Sequence, residues 1–119
     1  MSDEKLVIYH NPNCSKSRQT MQILEQQQCS PEVVEYLNTP PGPEELKHII
    51  GLLGMTAREL LRDGEAPYQE AGLDDQSLSE DEIIAAICKH PILLQRPIVI
   101  RGDRAVIGRP PEKVLEILA

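Results

Sequence analysis

Leu6-Val7-Ile8-Tyr9 runs into His10-Asn11-Pro12-Asn13 and then Cys14, and the run from Ser15 to Gln28 behind it is polar with helical composition. The short apolar run predicts a buried strand, and Asn-Pro-Asn supplies the residues of a turn. Cys14 therefore falls where a strand gives way to a helix. Val33 to Leu37 predicts a second strand. A strand-helix-strand unit of this size implies a parallel pair joined by a right-handed crossover.

From Pro43 the period becomes helical, with Leu46, Ile49, Ile50 and Leu53 on one face, Pro43 in the first turn and Gly54 as the stop. Thr56 with Glu59, and Ser79 with Glu82, match the capping-box pattern. A short helix is expected after Thr56 and a longer one carrying Ile83, Ile84, Ile87 and Cys88 after Ser79. Asp63 to Ser77 between them reads as an irregular surface connection. Pro97 to Ile100 and Ala105 to Ile107 flank Arg101-Gly102-Asp103-Arg104, whose Gly-Asp pair favours a two-residue hairpin turn. Pro111 opens a last helix with Val114, Leu115 and Leu118 expected on its inner face. The order βαβ, helical stretch, ββα predicts an α/β chain of thioredoxin/glutaredoxin-like fold with a helical insertion, as one domain over residues 1–119.

Composition narrows the function. At 119 residues and 40% hydrophobic content the chain can bury a core without metal or disulfide staples. Phe and Trp are absent and Tyr numbers three, so platforms for stacking bases are missing. A formal charge of -7 repels phosphate backbones. Nucleic acid is thus an unexpected partner, whereas a small anion in a local basic pocket is compatible with the charge. Met1 to Lys5 is polar and acidic, and no apolar run reaches the length of a membrane span, so no membrane association and a cytoplasmic location are expected. Cysteines at 14, 29 and 88 form neither a zinc-type pair nor a disulfide framework, and no metal-ligand spacing occurs.

A cysteine at a helix start faces the positive end of the helix dipole and unbonded backbone amides, which favour thiolate over thiol and lower its pKa. The same amides can hold an oxyanion, so Asn13 to Arg18 supplies a nucleophile together with an anion cradle in which Ser15 and Ser17 are candidate substrate contacts. The polar neighbours of Cys14 argue against a purely structural thiol. His10 either stabilises or deprotonates that thiol or merely bonds the turn, and spacing leaves both open. Arg62, Arg96 and Arg109 sit at junctions where distant segments can converge, and Arg96-Pro97 is a candidate cis bond opening a strand. Cys29 and Cys88 read as packing residues, and His48 and His90 as surface residues. Position 17 is Ser, so no C-x-x-C pair exists.

Ile8 to Arg18, Leu60-Leu61-Arg62, His90 to Val99 and Gly108 to Glu112, in this order, resemble the glutathione- and glutaredoxin-coupled arsenate reductases and their arsenate-reductase-like relatives over essentially the whole chain. The resemblance implies Cys14 as nucleophile, His10 as its activator, and Arg62, Arg96 and Arg109 as the oxyanion site. It also implies glutathione as co-substrate with no bound cofactor, glutaredoxin as partner, and a monomer. Two other functions share the resemblance: that of the Spx-like regulators, which contact RNA polymerase, and that of a non-arsenate thiol oxidoreductase or anion-binding relative.

Overall fold

The computed structural model describes residues 5–62, 64–95 and 97–118. The chain forms two compact units, Met1–Thr39 with Arg96–Ala119, and Pro40–Gln95. The first is built on a four-stranded sheet of β1 (Leu6–His10), β2 (Glu32–Glu35), β3 (Ile98–Arg101) and β4 (Arg104–Ile107), in the order β2-β1-β3-β4. β2 lies parallel to β1, as the crossover through α1 (Ser15–Gln26) requires, and β3 and β4 are antiparallel to their neighbours. The hairpin turns at Gly102-Asp103, where Gly102 has a φ of 60° that an L side chain tolerates poorly. This is the expected thioredoxin-like arrangement.

Alternation along the strands sends Ile8 and Val99 to one face, where they are paired in register. With Leu24 of α1, Val114 and Ile117 they form a buried core, against which Leu6, Met21, Ile23, Cys29, Val106 and Leu118 pack. β2 is shorter than expected. It ends at Glu35, whose carbonyl accepts the amides of Asn38 and Thr39 and so turns the chain away.

The closing helix corrects the expected inner face. Pro111–Ile117 is a 3-10 helix, and residues 111, 114 and 117 are buried while Leu115 is 42% exposed. Three residues per turn stack i, i+3 and i+6, whereas the α-helical period used on the sequence had turned Leu115 inward.

In the second unit α2 (Pro43–Leu53) buries Leu46, Ile49 and Ile50 and stops at Gly54, which adopts the left-handed conformation with a φ of 67°. Thr56 and Glu59 exchange bonds around the 3-10 helix Arg58–Leu60. Ser79 and Glu82 complete a capping box on the helix Glu80–Lys89, which packs against α2. The stretch expected to be irregular holds a further short helix, Ala66–Glu70, with Pro67 in its first turn. In chain order these two helices are α3 and α4. A second 3-10 helix, Pro91–Leu93, follows α4. Arg96 and Asp63 lie outside the described residues, and with Arg96 the peptide bond to Pro97. A cis bond is present at Arg109-Pro110.

Candidate active site

Cys14 is the N-cap of α1, with extended backbone angles. Its amide donates to the carbonyl of Asn11 at 3.0 Å, and its own carbonyl accepts the amide of Arg18, the first helical bond. No side chain caps the helix, so its first-turn amides are left to other acceptors. Asn11, itself buried, organises the turn: its Oδ1 accepts the Asn13 amide at 3.0 Å, the local bond that makes Asn a turn former. Arg18 folds back to donate from Nη1 to the Pro12 carbonyl at 2.9 Å. Ser15 and Lys16 are exposed, while Cys14 is only 9% exposed, more enclosed than its polar neighbours imply.

Ser17 turns inward. Its fully buried Oγ accepts the Asn11 amide at 3.1 Å and lies 2.6 Å from Nδ1 of His10. The oxygen can accept both contacts, and an Nδ1–H donated to it would leave Nε2 as the basic nitrogen of a neutral imidazole. Burial pushes the His10 pKa down, Glu35 opposes this and Arg18 adds to it. Glu35 is the register partner of His10 on β2. The net effect favours the neutral imidazole at the end of β1.

Arg62 belongs to the second unit. Its amide donates to the Leu93 carbonyl at 2.7 Å, the Gln95 amide donates to Leu60, and the Gln95 Nε2 donates to the Leu61 carbonyl at 3.1 Å. Leu61 and Leu94 pair as an isolated bridge. The backbone on which Arg62 stands is therefore clamped to a segment more than thirty residues later. Its guanidinium is differently placed. Nε and Nη1 are buried without a hydrogen-bond partner among the described residues, and Glu65 Oε1 stands 3.5 Å from Nε. Arg109 is exposed, with its amide on the Ile107 carbonyl. Cys29 is half-buried, as is Cys88, whose thiol burial and Glu45 push up in pKa. Among the described residues no group of His, Cys, Asp and Glu is arranged to hold a metal ion, and no helix is long and apolar enough to cross a membrane.

Residues 9–117 match the model of the ArsC family. The chain belongs to the ArsC family. It is 49% identical to an uncharacterized protein, YfgD, of Escherichia coli strain K12, covering 97% of this chain and 98% of that one. It is 46% identical to an arsenate reductase of Haemophilus influenzae over 95% of this chain and 98% of the relative. Among solved structures, an arsenate reductase from Vibrio cholerae superposes with a TM-score of 0.93 at 48% identity, covering 98% of this chain and 99% of that one.

Three residues of this ArsC chain escaped the sequence reading. Asn11 had a signal, since Asn before Pro marks a turn whose side chain bonds its own backbone. Gln95 had none, because its partners Leu60 and Leu61 lie in a different stretch of sequence. Glu65 lies three residues after Arg62, but α3, which it caps, was not foreseen.

Proposed function

We propose that this chain is an arsenate reductase that draws its electrons from glutathione and glutaredoxin. The observation that carries the reading is its near full-length identity, above two-fifths, to proteins named arsenate reductase. The chemistry at Cys14 supports it: a thiol at an uncapped helix N-terminus, next to amides suited to an oxyanion. In the proposed sequence the Cys14 thiolate attacks arsenic, forming an S–As bond as one oxygen leaves as water. Glutathione then attacks the adduct. Arsenic takes two electrons and departs as arsenite, the two sulfurs are left as a mixed disulfide, and glutaredoxin removes the glutathionyl group to restore Cys14.

Neutral His10, positioned by the inward-turned Ser17 hydroxyl, assists in deprotonating Cys14, and Arg62, Arg96 and Arg109 offset the charge of the bound oxyanion together with the backbone amides of Ser15 and Ser17 rather than the Ser17 side chain. Nε and Nη1 of Arg62 support its part, since two buried guanidinium nitrogens without a hydrogen-bond acceptor among the described residues call for an anion. We assign the protein to the cytoplasm as a monomer working as one domain. The test is arsenate-dependent NADPH consumption with glutathione, glutaredoxin and glutathione reductase present. Cys14→Ser abolishes turnover, and the double variant Cys29→Ser, Cys88→Ser keeps it. Loss of turnover in a folded double variant would demand an internal resolving thiol, and absence of turnover in the wild type would remove the arsenate assignment.

A further inference from the structure

Arg62 has a counterion beside it that does not hydrogen-bond its Nε. Glu65 Oε1 stands 3.5 Å from Nε, inside ion-pair range, yet among the described residues neither Nε nor Nη1 makes a hydrogen bond. Both side chains are largely enclosed, at 23% and 24% exposure, so the charges are only partly screened. The two residues are anchored separately: the Arg62 amide is bonded to Leu93, and Glu65 is the N-cap of α3, with its carbonyl accepting the Tyr68 amide at 3.0 Å. The carboxylate therefore stands within ion-pair range of the guanidinium without hydrogen-bonding Nε or Nη1. An anion that reaches the guanidinium finds these two buried nitrogens unbonded but meets a negative charge beside them.

We propose that Glu65 is a specificity-determining residue of the oxyanion site, tuning Arg62 by repulsion against doubly charged oxyanions more than singly charged ones. The inference rests on the reading of Arg62 as an oxyanion ligand. Coulomb repulsion is linear in the ligand's charge, so removing the Glu65 charge tightens binding of a dianion by the square of the factor for a monoanion. At about 5 Å in a water-like dielectric these factors are roughly fifteenfold and fourfold.

The test is an NMR titration of the Arg62 Nε–H resonance, assigned by its loss in Arg62→Lys, in the full chain. Sodium sulfate and sodium nitrate are added separately at constant ionic strength to the wild type and to Glu65→Gln, with Glu65→Ala as a second neutral variant. Both variants are expected to bind sulfate roughly ten- to twentyfold more tightly and nitrate only about fourfold more tightly. The KM for arsenate should fall with kcat little changed. Unchanged or weaker sulfate binding in both variants, with a clear wild-type response, overturns the role of Glu65 alone. An equal gain for sulfate and nitrate overturns the charge discrimination. A resonance that responds to neither anion in any of the proteins overturns Arg62 as an anion ligand, and this inference with it.

Discussion

Replacing Ser17 by Ala tests the hydrogen-bond arrangement beneath the candidate nucleophile. Alanine preserves the helix and nearly the volume, so the loss is confined to one fully buried oxygen. Two bonds go with it, one accepted from the Asn11 amide at 3.1 Å and one shared with His10 Nδ1 at 2.6 Å. The buried amide is left without an acceptor, which costs about 1–3 kcal/mol, and the bond to the imidazole contributes about 1 kcal/mol. We expect a loss of about 2–4 kcal/mol in urea unfolding, read as a lower midpoint at unchanged slope. The double variant with His10→Ala separates the two parts. In that background Ser17→Ala should cost about 1 kcal/mol less, because only the Asn11 amide remains to be orphaned. A loss below about 0.5 kcal/mol, or strict additivity of the two substitutions, would refute the arrangement.

Gly108→Ala should destabilise the sheet unit by about 1–3 kcal/mol. Its Cβ would stand 2.6 Å from Thr20 Oγ1 and 2.9 Å from Pro97 Cγ, the first held by its bond to the Lys16 carbonyl and the second by a rigid ring; an unchanged urea midpoint would show that these neighbours yield. Below its ordinary pKa of 6.5 His10 should lower stability, because the unfolded chain takes up the proton while the folded protein, with its pKa held down by burial, resists. That contribution is intact above pH 6.5 and lost as pH falls, so His10→Asn should narrow the drop in melting temperature between neutral and mildly acidic buffer. An identical drop in both proteins would mean that the folded and unfolded states protonate His10 alike.

Features specified by neighbouring residues were legible in the chain itself. The stop at Gly54, the Ser79–Glu82 capping box and the Gly102-Asp103 hairpin each need only a local backbone angle or a side chain three residues away. Cys14 at the start of α1 belongs to the same class, since an apolar strand, a turn and a polar helix in succession leave one place for it. The parallel pairing of β1 and β2 followed from the length of the connection. Leu115 marks the boundary: the apolar residues of the last helix are compatible with either helical period, and packing against α1 and β4 accompanies the 3-10 form that puts Ile117 inside instead.

Ser17 has the composition of a surface loop residue, and only the approach of His10 and Asn11 around the turn makes it a buried hinge of the site. Gly108 shows no turn signature; its need for a missing side chain comes from Thr20 and Pro97, one of them on a helix nearly ninety residues earlier. Arg62 was readable as a candidate, but the clamp of Leu93 and Gln95 on its backbone and the placement of Glu65 beside its guanidinium were not. The amino-acid order determined the elements and the position of the thiol, because those depend on interactions within a few residues. Tertiary structure alone decided which polar atoms are buried, which donors stay open and which charge faces which, because those depend on distances between segments that the order of residues does not contain.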